Sequence, residues 1–523
     1  MKHIKTRVLL FLVVLVTAAA CRKDLGNYTY NEINNAEISG LNDSYTVFRS
    51  QVLEITPNLS FSKTAETADN YSYEWFCIDF STSSVTKTTI STTRNLKWPV
   101  NLPSTNIDYA IYLQVTEKAT GQTWRKSVKL RVNTNVNDGW LVLNDDNGKA
   151  RLDFLNYQEA TAKFDHITDV LATQSKIVLN GAPKMLYFYN RLNNLVSGQR
   201  YRCIVVGTDK TSYFINTHNN SFDTYGQMTD VMSVFIPPPY YAQKMATMNK
   251  VTPGTPCYMY DSNGNLLFED NTSGYNFGIT VNRTSAGGPF KMSPYFAASN
   301  NETYLGALMY DVDNKRFYQH VRSNTTSSVV PTKPDSWTSY DPANMGMDLL
   351  YMALVSKYSG GQVFALLKNS AGKVFLTRIL FDAGATAANV FLPQSYQEVT
   401  DIAPEIANAT QFAIHQTEGY IMYQVGSKVY RYSLADNSNK LVVDAGSKKI
   451  SLIKFQRMTN GGGNTARIAA YQDKLMVCTY DEANPSTSGQ IDLYNVPPLN
   501  GDVTLFESYT GFAKIVDVSY REP

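Results

Sequence analysis

The chain has 523 residues and a formal net charge of only +2. Basic and acidic residues are nearly balanced, 47 against 45, with no basic block, which argues against a nucleic-acid or polyanion binder. The length predicts two or more domains, and 35 tyrosines among frequent Thr, Ser and Asn favour strands and turns over helices.

At the N-terminus, Lys2, Lys5 and Arg7 form a cationic start, Val8 to Val16 an unbroken apolar run, and Thr17-Ala18-Ala19-Ala20 a small-residue approach to Cys21. That layout is a secretory signal. The apolar run is too short for a bilayer span, which needs about 20 residues, so a transmembrane anchor is the weaker reading. Small residues running into cysteine resemble the bacterial lipobox, although Ala18 stands where Leu is usual. The resemblance implies a signal peptide over 1–20 and acyl chains on Cys21. Each buried methylene of such chains contributes about 0.8 kcal/mol of membrane anchoring. Arg22 rather than Asp follows the cysteine, which argues against inner-membrane retention. Asp24 just behind it resembles the surface-export signal of Bacteroidetes lipoproteins. The expectation is an outer-membrane, lipid-anchored chain exposed at the cell surface, with residues 21–28 as the tether.

Residues 29–133 carry short strand-like segments at Ser44–Phe48, Val52–Ile55, Tyr71–Phe76, Asp108–Val115 and Ser127–Val132, separated by turn residues. This is the texture of a small antiparallel sandwich. Tyr73 and Trp75 fall on one face of a strand, a pattern that core strands use far more often than ligand platforms. Thr120-Gly121 suits a hairpin turn. Lys23-Asp24-Leu25-Gly26-Asn27-Tyr28, Tyr73-Glu74-Trp75, the Asp108–Val115 strand and Thr120-Gly121 together resemble the PKD-like lipoproteins of Bacteroidetes. The Gly-Asp-Gly of the usual PKD signature is absent, and Phe76-Cys77-Ile78-Asp79 stands there instead. The resemblance therefore implies an immunoglobulin-like sandwich and nothing finer.

From 138 to 523 a strand-turn-strand unit recurs. Its turns centre near Asn147, Asp209, Asn263, Asp313, Ala371, Gly426 and Ser486. A period near 50 with one hairpin per unit predicts four-stranded propeller blades. Seven hairpins predict a seven-bladed β-propeller, with six or eight blades as near alternatives. Lys514 to Ser519 is a late strand able to complete a blade with the start of this region. The fold class expected is all-β, a PKD-like sandwich followed by a propeller.

Catalytic signatures are scarce. His166, His218, His320 and His415 stand apart without HExxH spacing, and no nucleophile elbow, Walker loop or GxGxxG occurs. Cys77, Cys203, Cys257 and Cys478 sit in apolar contexts and read as buried thiols, one disulfide remaining open. Asp145-Asp146-Asn147-Gly148 and Asp311-Val312-Asp313-Asn314 partly resemble calcium loops but lack a distal bidentate Glu. Hairpin turns select the same residues for backbone reasons, so no cofactor is expected and calcium is the minor alternative. Two aromatic stretches, Phe235 to Tyr241 around a triple proline and Pro334 to Tyr340, are expected in long loops. Tyr240, Tyr241, Trp337 and Tyr340 are accordingly the candidate ligand-binding residues, by stacking on sugars or packing on a partner; covering the core is the alternative. Lipoproteins of the resembled family accompany SusC/SusD-type uptake systems. That implies a non-enzymatic accessory that binds glycan or peptide or docks on the transporter, with a propeller-based hydrolase or lyase as the alternative.

Overall fold

A computed structural model describes residues 33–49, 51–79, 86–102, 108–133, 136, 138–159, 161–175, 177–192, 200–217, 222–247, 256–269, 276–299, 306–321, 324–331, 340–356, 361–381, 391–456, 458 and 465–522. The predicted signal peptide, Cys21 with its tether, His218 and Trp337 lie outside the described residues. The chain is all-β and forms two compact units, the first from residues within 33–45, 52–98 and 108–130, the second from the remainder.

In the first unit, strands run where β-branched and aromatic residues alternate with polar ones. Tyr109–Glu117 alternates buried and partly exposed positions along its whole length, as a half-buried strand must with a side-chain period of two. It lies in a five-stranded sheet ordered Ser44–Phe48, Thr123–Asn133, Tyr109–Glu117, Tyr71–Asp79, Thr86–Ser91. Two shorter pairs accompany it, Ala36–Ser39 with Asn58–Phe61 and Val52–Ile55 with Leu96–Pro99. Trp75 is completely buried, and its indole Nε1 donates to the carbonyls of Thr93 and Arg94 at 3.1 and 3.2 Å. Tyr73 instead donates its hydroxyl to Glu66 at 2.9 Å. The pair is thus a core anchor and a polar clamp.

The second unit contains seven four-stranded antiparallel sheets among the described residues. Each of the seven predicted hairpins is the central pair of one sheet. Several central strands are buried along their whole length, as in Cys257–Asp261 and Gly306–Asp311, and therefore read as apolar runs rather than alternations. Outer strands such as Lys163–Ile167 and Ser438–Asp444 are largely wet.

Six sheets begin with a leading strand: Pro183–Leu192, Ala242–Thr247, Ala297–Ala298, Asp348–Val355, Gln411–Ile414 and Lys449–Phe455. In the first sheet that place is taken by the last strand of the chain, Lys514–Arg521, which pairs antiparallel with Gly139–Asp146. The leading strands touch in cyclic order, each the next, and Lys514–Arg521 touches both Lys449–Phe455 and Pro183–Leu192.

The cores follow the same order. Alternate residues of a strand face opposite neighbours. Leu141 and Leu143 pack with Leu186, Ile204 and Val206 of the second sheet, whereas Trp140 and Val142 pack with Met476 and Cys478 of the seventh. Six apolar clusters join consecutive sheets and a seventh joins the last sheet to the first. Each fully buried aliphatic or aromatic side chain in them contributes about 1.5–3 kcal/mol.

Asp-containing turns connect several of the central pairs. Asn147 and Gly148 both have positive φ, +54° and +82°, the backbone of the tight hairpin turn that matches strand twist. The Asp145 carboxylate accepts the Gly148 amide at 2.8 Å. Asp311 likewise takes the amides of Asp313 and Asn314 at 3.2 and 3.1 Å and the Asn314 side chain at 2.8 Å. These carboxylates are occupied as turn caps.

Candidate functional site

Several side chains from successive leading strands meet in one cluster. Bulges occur on five of the leading strands, between Pro183 and Met185, Ala242 and Lys244, Leu349 and Tyr351, and Ile450 and Leu452, and on Lys514–Arg521 opposite the step from Leu143 to Asn144. A bulge bends its strand and re-aims the side chain that follows. Lys244 and Tyr351 both come directly after one.

Asp517 is the anionic centre of the cluster. Its Oδ1 accepts from Lys454 Nζ at 2.7 Å and from the Val518 amide at 2.8 Å, and its Oδ2 accepts the Leu186 amide at 2.9 Å. Lys454 also donates to the Val518 carbonyl at 2.7 Å. Gln411, from the adjacent strand, bridges the Ile453 amide and the Ser451 carbonyl at 3.1 Å each.

Lys244 feels the charges of the same group and is flanked by aromatic rings. Its Nζ stands 4.6 Å from the Tyr295 ring centroid, 5.7 Å from Tyr351 and 5.8 Å from Phe296. Tyr295 and Tyr351 meet edge to face at 5.0 Å. No carboxylate or carbonyl among the described residues accepts from this ammonium. Burial pushes Lys244 down to about 8, with the Lys454 charge adding to the fall and Asp517 opposing it. Burial likewise pushes both tyrosines up. Solvent still reaches the cluster, because Lys454 and Asp517 keep 28% and 19% of their side-chain surface and Lys244, Tyr295 and Tyr351 are only half-buried. Among the described residues Asp517 thus pairs with Lys454 alone, and its oxygens are already engaged.

The sequence-predicted aromatics are placed differently. Tyr240 is 2% exposed and donates its hydroxyl to Asp261 at 2.8 Å. It packs in the apolar cluster between the second and third sheets. Tyr241 is half-buried, its amide donating to Ser262 Oγ at 3.3 Å and its carbonyl accepting the Ser262 amide at 2.8 Å. Tyr340 is half-buried, 5.5 Å from the Tyr396 ring, and donates to the Arg378 carbonyl at 3.0 Å. The hydroxyls of Tyr240 and Tyr340 thus both find partners inside, and Tyr240, being buried, offers no stacking face. In the triple-proline segment the exposed apolar side chains are Val234 and Phe235, at 61% and 73%.

The described histidines are also tied into the fold. His320 is buried between Tyr258 and the Asn324 carbonyl, His415 Nδ1 accepts the amides of Thr417 and Glu418, and His166 contacts Asp153. Cys77, Cys203, Cys257 and Cys478 are buried thiols outside any disulfide, as the sequence reading favoured. Among the described residues, no group of three or more His, Cys, Asp or Glu is placed to hold a metal ion.

The profile of the PKD-like family matches residues 21–183, so the N-terminal domain is PKD-like. No curated protein matches the chain in sequence. Among solved structures, the chain is similar to a quinoprotein alcohol dehydrogenase-like protein from Bacteroides thetaiotaomicron, at 12% identity and a TM-score of 0.46 over 92% of this chain and 97% of that one. It is also similar to the extracellular domain of a candidate one-component system from the same bacterium, at 11% identity and a TM-score of 0.35 over 92% and 70%. A third likeness is to the yeast Nup82-Nup159-Nup116 nucleoporin complex, at 6% identity and a TM-score of 0.38 over 68% and 97%.

Proposed function

We propose that this chain is a lipid-anchored protein of the outer membrane, facing outward, whose task is recognition rather than catalysis. In this reading the seven sheets are the blades of a β-propeller and the PKD-like domain is a spacer near the membrane. The protein serves as an accessory of a SusC/SusD-type uptake system, binding glycan or peptide or docking on the transporter. The anchor is supported by the leader that ends at Cys21 and by the family match, which begins at that residue. The propeller is supported by the cyclic contacts of the leading strands and by the apolar cluster joining the last sheet to the first.

The observation that carries the recognition role is the solvent-reached cluster of Lys244, Lys454, Asp517, Tyr295 and Tyr351. It has charge and aromatic faces, the ingredients of a binding site.

The experiment combines labelling, co-purification and a ligand panel. Metabolic labelling with a fatty acid should mark the wild-type protein and leave Cys21→Ala unmarked. The purified protein should bind members of a glycan and peptide panel, or co-purify with a transporter, without consuming any ligand. Turnover of a glycan would replace the binding role with the hydrolase or lyase alternative. Fatty-acid labelling of Cys21→Ala would remove the anchor.

A further inference from the structure

We propose that the Lys244 ammonium, flanked by Tyr295 and Tyr351, is the docking point for the carboxylate of a small acidic ligand. The inference rests on the recognition role above and specifies the chemistry that its site selects.

The argument begins with charge. Lys244 and Lys454 contribute two positive charges to a confined region and Asp517 contributes one negative charge. Asp517 cannot serve both lysines equally, because its Oδ1 is held by Lys454 and the Val518 amide and its Oδ2 by the Leu186 amide. Lys244 is left with aromatic faces alone, Tyr295 at 4.6 Å being the nearest. A ring face attracts an ammonium through its quadrupole but accepts no conventional hydrogen bond. The three N–H donors of Lys244 therefore remain available to an incoming acceptor.

A partly desolvated lysine costs folding free energy unless something compensates it. A fold that keeps Lys244 here gains the compensation when an anion arrives, because a charge-assisted hydrogen bond is about twice as strong as a neutral one. Burial has already pushed this lysine down to about 8, so its proton is held only weakly until an anion pairs with it. The charged and titratable groups that face Lys244 are Lys454, Asp517, Tyr295 and Tyr351. Asp517 is the one carboxylate among them, and its oxygens are already engaged. The tyrosine rings beside the ammonium supply apolar contact for the body of the ligand, as an amphipathic aromatic pair does in many recognition sites.

The test is calorimetric titration of the full-length chain with two matched pairs of probes. Galacturonate and galactose share a ring and differ at the carboxylate. N-acetylglycine and N-acetylglycinamide differ likewise on a peptide-like body. Each acid should bind at least about ten-fold more tightly than its neutral counterpart, the scale of one charge-assisted hydrogen bond. Lys244→Met should abolish that preference and Lys244→Arg should retain it. Both variants are first checked for folding by circular dichroism, and removal of an uncompensated ammonium should leave the melting temperature unchanged or higher. In the wild type the preference should fade as pH rises through about 8, whereas in Lys244→Arg it should persist. The stronger of the two acids identifies whether a sugar or a peptide body is preferred. The proposal is overturned if neither acid is preferred at millimolar concentration, or if Lys244→Met keeps the wild-type preference. Binding of neutral glycans, or transporter co-purification, with no preference for acids would overturn this inference while leaving the recognition role intact.

Discussion

The Tyr240 hydroxyl donates to Asp261 across 2.8 Å, joining the loop that follows the second sheet to the turn of the third. The same carboxylate accepts the Asn263 and Asn265 amides at 2.9 and 2.8 Å through its other oxygen, so one aspartate shapes a hairpin and anchors a neighbouring loop. Tyr240→Phe removes a single buried hydrogen bond and should cost about 1 kcal/mol. Tyr240→Ala also empties a packed site and should cost about 3–5 kcal/mol. Urea unfolding measures both. A Tyr240→Phe variant that is as stable as the wild type yet loses ligand would return Tyr240 to the list of binding residues.

Replacing Asp517 strips the partner from Lys454 and orphans the Leu186 amide. Because both side chains keep part of their surface in water, the loss should be about 2 kcal/mol, between that of an exposed and a buried pair. Asp517→Asn retains an acceptor for the Leu186 amide and should lose less than Asp517→Ala. Denaturation midpoints that place the two variants in the opposite order would refute this account of the carboxylate.

The depressed lysine gives a pH signature. In the unfolded chain Lys244 holds its proton up to its ordinary 10.5, while in the folded protein it sheds it near 8. Between those values the unfolded state binds more protons, so alkaline pH favours the fold at this residue. Relative to Lys244→Met, the wild type should therefore be handicapped below pH 8, and the difference should shrink toward pH 10.5. Midpoints measured for both proteins across that range check it. A difference independent of pH would mean that the lysine is not desolvated.

Deleting Lys514–Arg521 and the residues after it unpairs Gly139–Asp146 and removes Ile515, Val518 and Tyr520 from the cluster that joins the last sheet to the first. Tyr520 also donates to Asp138 at 2.7 Å, and the same carboxylate holds Arg467 at 2.7 Å. The shortened chain should lose cooperative unfolding of the second unit in a circular dichroism melt. A sharp transition at the wild-type temperature would show that the last strand is dispensable.

The hairpins were legible in the sequence because burial on both faces leaves a continuous apolar run, as in Val363 to Leu367 or Leu308 to Tyr310. Of the leading strands Lys514 to Ser519 was anticipated, and it pairs with Gly139–Asp146; the other leading strands and the outer ones were not, since Ala297–Ala298 and Ser328–Val329 are two residues each and Lys163–Ile167 is mostly exposed. Tyr240 and Tyr340 lie between strands, as expected, but the neighbouring prolines gave no sign that their hydroxyls turn inward. Composition does not reveal that a hydroxyl will find Asp261 or the Arg378 carbonyl inside. The Lys244 cluster left no local trace, its members coming from strands distant in sequence; Lys454 and Asp517 alone are 63 residues apart. Bulges, which sequence patterns do not report, turn them toward one another.

Pairing of the final strand with Gly139–Asp146 has a consequence for the order of assembly. Six sheets are built from consecutive segments and can form as each segment becomes available, whereas the first waits for Lys514–Arg521, far downstream of its hairpin. Its hairpin spends that interval with an open apolar edge, the kind of edge that recruits foreign strands. Joining such distant segments carries a loop-closure cost that grows only with the logarithm of their separation, so the delay is a matter of time more than of equilibrium. Folding yield should accordingly be governed by how long that edge stays uncovered, which makes the last strand the step that a chaperone would have to wait for.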